Sequence, residues 1–170
     1  MTDIGTRKAD HIALALQPKH QAQQGSGFDR VCFEHNPLPQ MDLKNVELSS
    51  RFLEQAISAP LLIGAMTGGC ENGELINQHL AEAAQACRIP MALGSQRAAL
   101  EQGFQQDIRR WAPSALLLSN LGGTQLQRHG LELARRAVES VQANALIIHL
   151  NPLQELIQPN GDRDWNYVLE

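Results

Sequence analysis

Residues 59–69 read Ala-Pro-Leu-Leu-Ile-Gly-Ala-Met-Thr-Gly-Gly. The stretch opens beside a proline, runs through Leu61, Leu62 and Ile63 without polar alternation, and breaks into Thr67, Gly68 and Gly69. A helical pattern follows, so the expectation is a buried parallel strand emptying into a tight turn. Alone, such a stretch is more often a plain core strand than a ligand-binding turn. The rest of the chain repeats it.

After Gly69, residues Ile76, Leu80, Ala83, Ala84 and Cys87 recur at helical spacing until Pro90, which predicts an amphipathic helix. A second apolar strand, residues 90–94, empties into Ser95, Gln96 and Arg97, and a weaker helix with Phe104, Ile108 and Trp111 returns the chain to Pro113. A third strand, residues 115–120, ends in Leu121, Gly122 and Gly123. It precedes a helix carrying Leu131, Ala134, Val138 and Val141 on one face. The fourth strand, residues 145–150, runs into Asn-Pro-Leu-Gln-Glu and a turn-rich segment in which 160–162 reads as a turn. The pattern is a βα unit repeated about four times.

An open doubly wound sheet and a closed (β/α)8 barrel both produce this repeat. The first turn lacks a GxGxxG fingerprint and no acidic residue closes a second strand, so dinucleotide binding of the Rossmann kind is poorly supported. The α/β barrel fits better. All its strand ends face one site, where Met66 and Thr67, Ser95 to Arg97, Asn120 and His149 to Glu155 would converge.

Ahead of this repeat, Thr6 can cap a helix with Arg7, Lys8 and His11 on one face. Short basic helices are usually just solvated. Residues 17–27 are Gln-rich and end in Gly-Ser-Gly, a flexible connection. Residues 28–58 are broken by Pro37 and Pro39 and then alternate enough for a small hairpin, placed as a lid or plug.

The 170 residues carry a net charge of −4 with both signs interspersed, which argues against a general nucleic-acid binder. No apolar run approaches the ~20 residues of a membrane helix. Cys32, Cys70 and Cys87 are odd in number and widely spaced, and no signal-peptide core opens the chain. A cytoplasmic protein without a disulfide framework, its cysteines used for packing, is expected.

Arg-Lys-Ala-Asp-His at 7–11, Ala-Met-Thr-Gly-Gly at 65–69, Gly-Ser-Gln-Arg at 94–97, Ser-Asn-Leu-Gly-Gly at 119–123 and His-Leu-Asn-Pro-Leu-Gln-Glu at 149–155 occur in this order. Together they resemble the FMN-dependent type 2 isopentenyl-diphosphate isomerase. The resemblance implies interconversion of isopentenyl and dimethylallyl diphosphate by a flavin-assisted 1,3-proton shift in isoprenoid biosynthesis. It also implies reduced FMN, Mg2+ holding the diphosphate, NADPH as reductant, and a homo-oligomer. By analogy Ala65, Met66, Thr67, Ser95 and Asn120 line the flavin. Arg7, Lys8, His11 and Arg97 bind the diphosphate, His149, Asn151 and Gln154 face the substrate, and Glu155 is the metal ligand.

The residue chemistry stands beside this. A diphosphate needs cations, and a basic segment closing over it would exclude water. Mg2+ takes hard oxygen ligands and often only one or two protein carboxylates. The alkene has no ionisable handle, and Gln154 is not titratable, so Gln154 suits positioning or proton relay while the flavin would be the acid-base. A lone histidine ending a buried strand is more often a hydrogen-bonded core residue. Asn151, Gln154 and Glu155 tip His149 toward the site.

That family's barrel is roughly twice this length. The resemblance therefore implies three parts: a basic helix and connection (1–27), a lid (28–58) and the N-terminal half of a barrel (59–170). Such a half would lack a lysine near the flavin and the Gly-rich loops for the FMN phosphate, so alone it is expected to hold FMN weakly and not to turn over. An FMN-dependent hydroxy-acid oxidase and a non-catalytic, associating half-barrel are the alternatives. The motifs at 7–11 and 149–155 argue against the oxidase.

Overall fold

The computed structural model describes residues 16–20, 25, 27–65, 73–103, 106–157, 161–166 and 168. The expected basic helix with Arg7, Lys8 and His11, the turn residues Met66 and Thr67, Cys70 and Phe104 lie outside them.

The alternating stretch forms β1 (Ser50–Phe52) and β2 (Gln55–Ile57), paired antiparallel with Arg51 opposite Ala56. Leu53 and Glu54 turn the chain with φ of 46° and 63°. Two successive left-handed residues give the twist of a two-residue hairpin, at some steric cost for side chains larger than Asn or Gly. The hairpin is largely exposed, with Ile57 its one buried position. Ser58 continues from it and donates its N–H to the Arg88 carbonyl at 3.0 Å.

Next come α1 (Gly73–Cys87), β3 (Met91–Ala92), α2 (Arg97–Gln102), β4 (Leu117–Gly122), α3 (Gly123–Glu139), β5 (Ala145–His149) and α4 (Pro152–Ile157). The strands form one parallel sheet in the order β3-β4-β5, with Met91 opposite Leu117 and Asn120 opposite Ile147. Ile63 adds a parallel bridge to Met91, its N–H donating to the Pro90 carbonyl at 2.9 Å. One apolar cluster joins Met91, Leu93 and Leu117 to Ala81 and Ala84 of α1, Ile108 and Val141. The opposite face carries a smaller one of Ala92, Leu116 and Leu118, against which Ala145 and Ile147 pack. Parallel strands covered on both faces read as unbroken apolar runs, as residues 115–118 do.

The fold class expected from the sequence is corrected. Among the described residues the architecture is a small α/β unit, an open three-stranded parallel sheet with a separate two-stranded antiparallel one, and not a closed (β/α)8 barrel. A repeat of apolar strand and helix specifies parallel pairing of neighbours, whereas closure needs strand number, tilt and stagger to match around a ring. Local sequence does not encode that ring.

Four local expectations also differ. Leu61 and Leu62 are 63% and 43% exposed, so residues 60–63 do not make a buried strand; among the described residues Ile63 has a strand partner on one side only. Gly122 does not open a turn, because β4 runs through it and α3 starts at Gly123. The helix after β4 breaks at Gly130, with φ of 67° and ψ of −169°, which leaves Leu131 exposed. Cys32 and Cys87 are exposed thiols rather than packing residues.

Candidate functional site

The carboxyl ends of the parallel strands supply the site. Past β3 the chain stays hydrogen-bonded to β4, Leu93 N–H to the Leu118 carbonyl at 2.9 Å and Gln96 N–H to the Asn120 carbonyl at 2.8 Å. This places Ser95, Gln96 and Arg97 beside Asn120. Gln96 is fully buried; its amide nitrogen donates to the Gly94 carbonyl at 2.9 Å, and its side-chain oxygen has no hydrogen-bond partner among the described residues.

Gly122 stands opposite His149 across β4 and β5. The His149 Nδ1 lies 2.7 Å from the Asn120 Oδ1. An amide oxygen only accepts, so this contact requires the proton on Nδ1 and directs Nε2 the other way. Asn120 itself is buried, which fixes the ring from below.

From β5 the chain passes Asn151 and turns into α4. The Asn151 carboxamide donates to Glu155 Oε1 at 2.9 Å and, more loosely, to Gln154 Oε1 at 3.4 Å. Glu155 Oε2 accepts the Asp162 N–H at 2.8 Å. A side chain at Gly161 would place its Cβ inside the van der Waals radius of the Glu155 carbonyl, so only glycine permits this close return of the backbone. Asp162 is thereby set over the strand ends.

Its carboxylate gathers side chains distant in sequence. Oδ2 accepts from Arg97 Nη1 at 3.1 Å and Gln125 Nε2 at 2.8 Å, while Oδ1 accepts from Arg128 Nη1. The Asp162 carbonyl accepts the Trp165 indole N–H at 3.0 Å. Arg97 also pairs with Glu101 at 2.8 Å. Burial works against the Arg97 charge, but the Glu101 hydrogen bond and charge, with Asp162 and Glu155, outweigh it and hold the guanidinium above its ordinary value.

Of the residues singled out in the sequence, the structure thus gathers Ser95, Arg97, Asn120, His149, Asn151, Gln154 and Glu155 around the ends of β3, β4 and β5. Ala65 is exposed beyond the Ile63 bridge, and Arg7, Lys8, His11, Met66 and Thr67 are outside the described residues. Sequence reasoning missed Gln125, Arg128 and, above all, Asp162, which looked like part of a turn. The one signal was an acid directly after a glycine and downstream of Glu155. A cavity of about 130 Å³ lined by Ile57, Gln85, Ile89, Ser114 and Leu116 lies at the opposite end of the sheet, away from these groups.

Among the described residues no group of three or more His, Cys, Asp or Glu side chains could hold a metal ion. Glu155 already accepts hydrogen bonds on both oxygens.

No protein-family model matches the chain. It is similar to the isopentenyl-diphosphate delta-isomerase of Xanthobacter autotrophicus, 52% identical over 98% of this chain and 50% of that protein. The enzyme of the same name from Pseudescherichia vulneris is 50% identical over 94% of this chain and 48% of its own length, and that of Deinococcus radiodurans 45% identical over 97% and 50%. The chain spans about half the length of these curated relatives. Their name carries neither a type nor a flavin, so the narrower resemblance to an FMN-dependent type 2 enzyme is corrected to the isomerase name alone. The cofactor set is corrected with it. Moving a double bond by exchanging protons is redox-neutral overall, and the name by itself calls for neither FMN nor NADPH as reductant. Ser95 and Asn120, expected to line a flavin, here hold the Arg97 N–H and the His149 ring.

Proposed function

We propose that the strand-end site takes part in the interconversion of isopentenyl and dimethylallyl diphosphate. The observation that carries the reading is relatedness at 42–52% identity across nearly the whole chain to proteins named for that reaction. No helix among the described residues is long and apolar enough to cross a membrane.

The reaction adds a proton to the terminal methylene carbon and removes one from the carbon two bonds away. The carbon centres are apolar, so the acid and base must lie against them, while the diphosphate is held by charge elsewhere. His149 can do proton work at Nε2, since Asn120 fixes the other nitrogen and so the tautomer. Asn151 and Gln154 orient the substrate, with Asn151 held by Glu155. Arg97 receives diphosphate oxygens, and Arg7, Lys8 and His11 are assigned to the same anion. A hydroxy-acid oxidase would require net electron transfer, which nothing in the relatives' name supplies.

The test is conversion of isopentenyl diphosphate in D2O, followed by NMR, with the chain alone and with the remaining half of the Xanthobacter relative added. Dimethylallyl diphosphate carrying one deuterium in a methyl group is the expected product. Absence of product in both arrangements overturns the reading.

A further inference from the structure

Both oxygens of the Asp162 carboxylate are occupied, by two guanidinium groups and a carboxamide from two helices, α2 and α3. Its side chain is 11% exposed, against 41% and 44% for Arg97 and Arg128. Charged and amide N–H groups converging on two oxygens of one anion are also what a phosphate group requires. The anion that fills this cradle is on a segment anchored by reversible contacts, the Asp162 N–H to Glu155 and the Trp165 indole to the Asp162 carbonyl.

We propose that Arg97, Gln125 and Arg128 form an oxyanion-binding cradle, that Asp162 occupies it as an internal stand-in, and that a phosphate group of the substrate displaces Asp162 on binding. The identity of the natural anion rests on the isopentenyl diphosphate reading; the cradle itself does not. Displacement exchanges one carboxylate for a more highly charged group with more acceptor oxygens, so the two arginines gain. Two acids oppose it. Glu101 keeps a share of Arg97, although at 44% exposure that pair is screened by solvent. Glu155 lies close enough to bond the Asp162 N–H, and it repels an incoming anion unless the segment carrying Asp162 moves aside. The same displacement breaks the Trp165 contact, which makes the indole a reporter.

Inorganic pyrophosphate is the probe. In calorimetric titrations at constant ionic strength, Asp162→Asn is expected to tighten pyrophosphate binding about tenfold, because a neutral amide no longer competes for the guanidinium charges. Arg128→Ala in that background should abolish the gain. Unchanged or weaker binding by Asp162→Asn, or a gain that survives loss of Arg128, overturns the proposal. A second measurement needs no change at Asp162. With Trp111→Phe leaving Trp165 as the single indole, pyrophosphate should shift its emission to the red, and sodium chloride of equal ionic strength should not. Pyrophosphate that binds without moving Trp165 emission overturns the displacement. Isomerase turnover is read separately, so a cradle that binds pyrophosphate in a chain that fails the isomerase assay counts against the reaction and not against the cradle.

Discussion

Strands β4 and β5 lie side by side, and the more apolar of the two is the less buried. All six residues of β4, Leu117 to Gly122, are buried although they include Ser119 and Asn120. None of the five residues of β5, Ala145 to His149, is buried although three are Leu or Ile. Position explains the inversion. β4 is the middle strand, hydrogen-bonded on both sides, with Leu117 in one apolar cluster and Leu118 in the other. β5 is the last strand of the described sheet, and the α4 side chains that follow it, Leu153 at 69% and Ile157 at 72% exposure, turn to solvent. An apolar run marks a strand; its place in the sheet sets how much water it sheds.

The contrast is broken or sharpened most directly by truncating one side chain in each strand. Leu117→Ala removes a fully buried side chain from the main cluster and should cost ~2–5 kcal/mol, the transfer loss plus a cavity. Ile148→Ala, at 37% exposure, should cost below ~1.5 kcal/mol, since area already in water contributes nothing. Urea unfolding midpoints with unchanged slopes would measure both. Equal losses would mean that β5 is covered in solution and that the contrast is not a property of the protein.

A smaller effect is expected from Arg109→Ala, which tests what keeps the amino ends of β4 and β5 aligned. Its guanidinium donates to the carbonyls of Ala112 at 3.1 Å and Ala115 at 2.7 Å, and to Gln142 O and Asn144 Oδ1 at 2.7 and 3.0 Å. Burial lowers its pKa, and among the described residues its hydrogen-bond partners are carbonyl and carboxamide oxygens. Hydrogen bonds to charged groups contribute ~1.5–3 kcal/mol each when buried, and partial exposure brings the expected total to about 2 kcal/mol. Hydrogen exchange should quicken at the β4–β5 pairing more than in α1. Uniform quickening would remove Arg109 from that role.

How far the sequence reached follows from the same contrast. The apolar runs at 115–118 and 145–148 announced parallel strands, and their shared carboxyl ends announced that Asn120 and His149 would meet. Local runs report pairing between neighbours. They are silent about closure, hence the expected barrel, and about coverage, hence Leu61 and Leu62 read as buried. Gly130 looked like one more helix position because an isolated glycine costs only ~1 kcal/mol in a helix interior and leaves the periodicity intact. At the site, residues on strand ends were legible because their spacing follows the repeat. Asp162 was not, since its partners Arg97 and Gln125 lie 65 and 37 residues away and nothing local marks a carboxylate that answers two arginines.

Within β4 the polar residues can be tested against its apolar ones. The Ser119 hydroxyl donates to the Ala137 carbonyl at 2.6 Å in a fully buried position, tying the strand to the last turns of α3. Ser119→Ala should cost about 1–2 kcal/mol, one neutral buried hydrogen bond, with the Ala137 carbonyl keeping the looser Ser140 hydroxyl at 3.4 Å. A loss as large as that of Leu117→Ala would show that the hydroxyl, rather than apolar burial, holds β4 in place.

The smallest change in stability and the most local readout belong to the contact that joins the two strands at the site. Asn120 Oδ1 can only accept, so its contact with His149 at 2.7 Å selects the tautomer protonated at Nδ1. Free neutral imidazole side chains prefer the proton on the other nitrogen, and the Asn120 contact favours the opposite choice. Asn120→Ala should therefore shift His149 toward the Nε2-protonated form, seen in the ring nitrogen shifts of long-range 1H–15N spectra above the titration range. The stability cost should stay near 1 kcal/mol, because His149 is only half-buried and water can replace the lost partner. Asn120→Asp keeps an acceptor at the same place and should retain the Nδ1-protonated form. If the tautomer is unmoved in Asn120→Ala, another group orients the ring, and the buried end of β4 does not organise the exposed end of β5.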